Sequence, residues 1–137
     1  MTSDVALQKL ATIERCLARI RAVTGGDPAA VDDLDVEEIV LLNLQRAIQA
    51  AIDLAARLIS GRGWGLPTSL KEHFRILADQ RIVTPQQADR LRAMVGFRNV
   101  VVHPYERLDR EILKAILRER LGDLDEFARS VKSFLGL

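Results

Sequence analysis

Arg98 and His103 are separated by four residues in the run Arg98-Asn99-Val100-Val101-Val102-His103-Pro104-Tyr105, and together they have the chemistry to act on a phosphodiester. An imidazole titrating near neutral pH can take the proton of a ribose 2′-hydroxyl or hand one to a leaving 5′-oxygen. An always-charged guanidinium beside it can neutralise the charge growing on the phosphoryl oxygens. That chemistry calls for no metal and no cofactor. The same residue types also allow a plainer reading, in which Arg98 pairs across the fold with a carboxylate such as Asp53 and His103 only caps the end of its helix. Residue types alone leave both open.

The elements that must position this pair are helical. Ala88, Leu91, Val95 and Val102 fall along one line of a fourth helix, and Arg98, with Asn99 beside it, occupies that line where the pattern asks for leucine. A charge in that place costs stability unless it is paired or lines a wet cleft, and such breaks of local rule are enriched at functional sites. Thr84-Pro85-Gln86-Gln87 starts this helix with an N-cap, a proline at the first position and a glutamine at the third. It is expected to run to His103, because the residue before Pro104 is pushed out of the helical region. On an ideal helix His103 lies about 140° around from Arg98, so the proline is what lets the imidazole swing back. Tyr105 then sits at the rim.

The rest of the sequence reads as further helices. Ala6, Leu10, Ile13, Leu17 and Ile20 draw one apolar stripe along a first helix that Gly25-Gly26-Asp27-Pro28 ends. A second is expected to open at Asp35, with Glu38 three residues on, and to run to about Ser60. It has two apolar stripes, Val40-Leu44-Ala47-Ala51-Leu54-Leu58 and Leu41-Ile48-Ile52-Ile59, separated by polar Asn43, Arg46, Asp53 and Arg57. So much apolar surface implies a central helix or one shared with a partner chain. Ser69 and Glu72 start a short third helix ending near Gln80. From about Asp109 the stripe Leu113, Leu117, Leu121, Leu124, Ala128, Val131 and Leu135 keeps its phase through Gly122, which predicts one long last helix. The expected fold is all-α, an antiparallel bundle of four to five helices over residues 1–137, in a single domain.

Composition narrows the partners. Sixteen Arg and four Lys against 19 acidic residues leave a net charge of +1, so binding of nucleic acid by bulk charge is excluded and any polyanion contact is local. The longest apolar run, Ile39-Val40-Leu41-Leu42, stops at Asn43, which predicts no membrane span. Met1-Thr2-Ser3-Asp4 lacks the pattern of a signal peptide, and Cys16 is unpaired, so a cytoplasmic protein is expected. Cys16 reads as inert and His73 as a surface or half-buried side chain. Trp64, in the glycine-rich loop Ser60–Pro67, reads as packing rather than base stacking. No Gly-Lys-Ser/Thr follows those glycines, so the loop is a turn and not a phosphate cradle.

Arg98 through Tyr105 resembles the Arg-x4-His-x-Tyr motif of HepT-like toxins, a branch of the HEPN superfamily. Further segments resemble that family: Leu44-Gln45-Arg46-Ala47-Ile48-Gln49 with Asp53, Leu66-Pro67-Thr68-Ser69, Met94-Val95-Gly96-Phe97 and Leu124-Asp125-Glu126-Phe127. The resemblance runs from about Ile13 to Leu135. It implies a metal-independent ribonuclease acting on RNA, tRNA or mRNA among the options, as the toxin of a toxin–antitoxin pair. It also implies a homodimer whose two motifs face one cleft. In that family's terms Arg98 stabilises the transition state, Asn99 helps to orient phosphate or ribose, and His103 is acid or base. Asp53, read from its place in the chain, is either an assisting residue that holds Arg98 from behind or a solvated or structural carboxylate. Tyr105 resembles the tyrosine that a partner minimal nucleotidyltransferase antitoxin modifies with AMP. Two other readings stand beside this one: a non-catalytic HEPN module that binds nucleotide or RNA for such a partner, and a purely structural helical dimer.

Overall fold

The computed structural model describes residues 3–98 and 110–137, and among these there are six α-helices, one short 3₁₀ helix and no strand. The helices are α1 (Asp4–Thr24), α2 (Leu34–Arg62), α3 (Leu70–Asp79), α4 (Pro85–Gly96), α5 (Arg110–Glu119) and α6 (Leu121–Leu135). The all-helical bundle is as expected, with six α-helices among the described residues against the four to five predicted.

Helix α2 is the centre of the molecule, and α1 packs along most of its length. Both apolar stripes of α2 are buried within this one chain: Val40, Leu44, Ala47, Leu54 and Ala55 are fully covered, and Leu41, Ile48, Ile52 and Ile59 are nearly so. The second stripe therefore needs no partner chain to cover it, which removes that argument for a dimer. α2 is also long and apolar enough to cross a bilayer by length and hydropathy, with a mean hydropathy of 1.3 over its richest window. The prediction of no such segment is corrected to that extent. The cause is that a helix buried on two sides must be apolar on two sides.

Local signals set the helix ends. Ser3 Oγ accepts from the Val5 N–H at the start of α1, and Gly25 closes that helix in the left-handed region at φ 60°. The start of α2 is not the predicted Asp35. Asp33 caps it, its carboxylate accepting from the N–H groups of Asp35 (2.9 Å) and Val36 (3.1 Å), after a 3₁₀ helix at Pro28–Asp32 where the sequence pattern presents only a loop. α2 runs two residues beyond Ser60 and ends on Gly63 at φ 66°. Thr84 and Gln87 form the full reciprocal capping box at α4.

Two predicted continuities fail. α4 ends at Gly96 rather than His103. Glycine lowers helix propensity, and the Phe97 N–H turns back to Met94 O at 3.1 Å, tightening the last turn so that the Phe97 ring packs against the core. The predicted single last helix is two, broken at Arg120 (φ −118°, ψ −15°) just ahead of Gly122. The stripe survives the break: Leu113, Leu121, Leu124, Ala128 and Val131 are all buried. A stripe of constant phase thus reports a shared core, not an unbroken helix.

Candidate functional site

Arg98 emerges just past the turn at Phe97, so its direction depends on how α4 is fixed. The buried Gln87 carries its amide from the capping box to α6, where Nε2 donates to Ser130 Oγ at 2.9 Å. One turn along, Arg90 pairs with Asp123 (3.3 Å) and Glu126 (3.1 Å) of α6. Burial pushes the Asp123 carboxyl above its ordinary pKa, with Arg120 and Arg90 opposing that shift. Beyond residues 99–109 the chain is tied down again: Arg110 Nε donates to the buried Glu37 of α2 at 2.7 Å, and Lys114 meets Asp32 at 3.0 Å. That bond to Glu37 raises the Arg110 pKa. The described residues on either side of 99–109 are therefore anchored to the bundle.

From that position the half-buried Arg98 reaches α2. Its Nε donates to Gln49 Oε1 at 3.2 Å. The same amide donates from Nε2 to Asp53 Oδ1 at 2.9 Å, and Asp53 Oδ2 meets Lys9 of α1 at 3.2 Å. Four side chains from three elements thus form one polar line, Arg98 to Gln49 to Asp53 to Lys9, along the strip that separates the two buried stripes of α2. The alternative of a direct pair between Arg98 and Asp53 is corrected: the carboxylate is one residue further out and acts through the amide. Gln49 and Lys9 were not singled out from sequence as site residues. The available signal was the spacing of Gln49 to Asp53, which puts two polar groups one turn apart on a helix with two buried stripes.

Of the other residues predicted to act, Asn99, His103 and Tyr105 lie outside the described residues, as does Val102. The side chains read as structural are so placed. His73 Nδ1 lies 2.9 Å from Ser69 O of its own helix, the distance of an N–H donating to a carbonyl. Trp64 packs edge-on against Phe134 with ring centroids 6.0 Å apart, and the Arg62 guanidinium lies over both rings. Cys16 is buried, and burial pushes its thiol pKa up, away from the reactive thiolate. Ser69 and Glu72 start α3 as expected, but without a reciprocal pair of caps. Ser69 Oγ caps the Glu72 N–H at 3.1 Å, but the carboxylate bonds the N–H (2.9 Å) and hydroxyl of Thr68.

Comparison with known proteins joins this geometry to a lineage. A family model described as Ribonuclease HepT-like matches residues 13–131. The chain is 34% identical over 131 residues to the mRNA nuclease HepT of Shewanella oneidensis, covering 96% of this chain and 98% of that protein. Its fold is similar to the tri-AMPylated HEPN toxin of Shewanella oneidensis solved in complex with MNT antitoxin, with a TM-score of 0.87 and 34% identity over 96% of this chain and 99% of that one. A cytosolic protein of Bacillus subtilis shares the fold at a TM-score of 0.83 and 22% identity, covering 95% of this chain and 87% of that one.

Proposed function

Since the chain belongs to the Ribonuclease HepT-like family, we propose that it is the ribonuclease toxin of a toxin–antitoxin pair, cleaving RNA in the cytoplasm without a metal ion. The observation that carries this reading is the likeness over nearly the whole chain to a named mRNA nuclease, together with an Arg98 held at the end of α4. His103 serves as acid or base. As base it takes the proton of the ribose 2′-hydroxyl, whose oxygen attacks phosphorus; the bond to the 5′-oxygen breaks, and that oxygen leaves with the proton returned by the imidazolium. Arg98 stabilises the charge on the phosphoryl oxygens, and Asn99 orients phosphate or ribose. The protein works as a homodimer with the two motifs in one cleft, where two arginines make a positive patch despite the near-neutral total. The neutralising partner is a minimal nucleotidyltransferase antitoxin that transfers AMP to Tyr105, which fits the AMPylated state and MNT complex of the similar Shewanella toxin.

The test is RNA cleavage by purified protein in the presence of a chelator. Wild type and a surface variant, Lys132→Ala, are expected to cleave, and His103→Ala to lose activity about 100-fold or more, the usual order for an acid–base group. Undiminished cleavage by His103→Ala would overturn the mechanism. Co-expression with the antitoxin is expected to add AMP mass that maps to Tyr105.

A further inference from the structure

We infer that Gln49 is a positioning residue that aims Arg98 while leaving its charge uncompensated, and that Lys9 and Asp53 exist to polarise that amide. The inference deepens the ribonuclease reading and rests on it for its catalytic consequence. An arginine carries only donors and an ionised carboxylate only acceptors. A carboxamide is a side chain that can accept from one and donate to the other while staying neutral. Asp53 at 2.9 Å fixes which end of the Gln49 amide faces inward, and so presents Oε1 to Arg98 Nε. Lys9 balances the Asp53 charge at 3.2 Å. Along the line the ionic charges of Lys9 and Asp53 cancel and the amide is neutral, so among the described residues the positive charge of Arg98 is not neutralised by a carboxylate.

That arrangement answers a requirement of the chemistry. A guanidinium that must stabilise a phosphoryl group has to be held in place, since misplacement of a preorganised charge weakens its effect on the transition state. The usual holder, a carboxylate, forms a charge-assisted pair and cancels much of the field the substrate would feel. Routing the contact through a neutral amide separates the two effects. The bond is taken by Nε, so it fixes the plane of the guanidinium while the terminal Nη fork is the part suited to two phosphoryl oxygens.

Two substitutions separate positioning from charge. Gln49→Met keeps the volume and removes both hydrogen bonds. It is expected to lower kcat for RNA cleavage about 10-fold, with KM and its salt dependence close to wild type. Gln49→Glu keeps an acceptor for Arg98 but adds a compensating charge. It is expected to raise KM about 10-fold and to make log KM less steep against log salt by about 0.7, the increment for one phosphate contact on a single strand. If both variants stay within about two-fold of wild type in kcat and KM while Arg98→Ala is inactive, the positioning role is overturned and the ribonuclease reading stands. A readout independent of catalysis is the Arg98 Nε–H resonance in NMR. Its exchange with solvent is expected to accelerate about five-fold or more in Gln49→Met, and about two-fold in Lys9→Ala. Unchanged exchange in Gln49→Met overturns the inference even if the protein cleaves no RNA.

Discussion

Replacing Gln87 should show how firmly α4 is pinned where it delivers Arg98. The Gln87 side chain does two jobs: Oε1 accepts from the Thr84 N–H at 2.7 Å, and Nε2 donates to Ser130 Oγ at 2.9 Å. Losing the reciprocal half of a capping box costs about 0.5–1 kcal/mol. Losing a neutral hydrogen bond that is largely shielded from water costs about 1 kcal/mol more. Gln87→Ala is therefore expected to destabilise by about 2 kcal/mol. With an unfolding entropy of about 2.1 cal/mol/K per residue, a chain of this length loses about 7 °C in Tm. Ser130→Ala alone should cost about 1 kcal/mol, because it leaves the Gln87 amide without its acceptor. The double variant should then fall short of the sum by about 0.5–1 kcal/mol, the coupling carried by the Gln87–Ser130 bond between α4 and α6. Thermal and urea unfolding of the four proteins measures this cycle. A coupling under ~0.3 kcal/mol, within the error of additivity, would mean that the Gln87–Ser130 bond does not pin α4, leaving its apolar face and the Arg90 ion pairs to hold it.

Two further predictions test local electrostatics and strain. The Thr68 hydroxyl and N–H, then Arg75, hold the Glu72 carboxyl down at a pKa of about 2. Its folded value is depressed, so the stabilisation it gives is complete above the ordinary carboxyl range and is lost as pH falls through about 2. NMR titration of the Glu72 side-chain carboxyl should show this, with Thr68→Val moving the midpoint up; a wild-type midpoint near the ordinary 4.5 would refute the contact. Arg81 sits at φ 60°, in the left-handed region, at the turn after α3. Arg81→Gly should stabilise by about 0.5–1 kcal/mol, relief of a non-glycine left-handed residue outweighing the added freedom of the unfolded chain. Thermal unfolding of Arg81→Gly beside Arg81→Ala checks it: if the glycine variant is the less stable of the two, backbone strain does not decide this turn.

Much of the fold could be read from the chain because helix periodicity and capping are local. The stripe of α1, the two stripes of α2 and the Thr84-Pro85 start all come from residues within a turn or two of one another. What failed depended on competition between local terms and the core. Gly96 and Phe97 end α4 because the Phe97 ring gains more by packing inward than by continuing the helix. Arg120 breaks the last helix, yet its stripe stays in phase, since the core rewards the face and not the continuity. Asp33 took the cap from Asp35 because the 3₁₀ helix at Pro28–Asp32 delivers the chain to α2 two residues earlier than the Asp35 and Glu38 pattern suggested.

The site was half legible for a related reason. Arg98 was conspicuous because a charge interrupted an apolar line, but the line itself ended at Gly96, and what receives the guanidinium lies 49 positions away on α2. No spacing rule reaches that far. Burial does supply the link after the fact. A helix that buries two stripes has only a narrow strip left on which a polar side chain can meet one from another element without entering the core. On α2 that strip holds Asn43, Arg46, Gln49, Asp53 and Arg57. The guanidinium delivered just beyond α4 meets Gln49 of those five. A donor-only group delivered beside a carboxylate that already has a lysine is best met by the residue that can face both ways, and Gln49 stands there. The apolar character that makes α2 the core of the bundle thus also determines where its site can be.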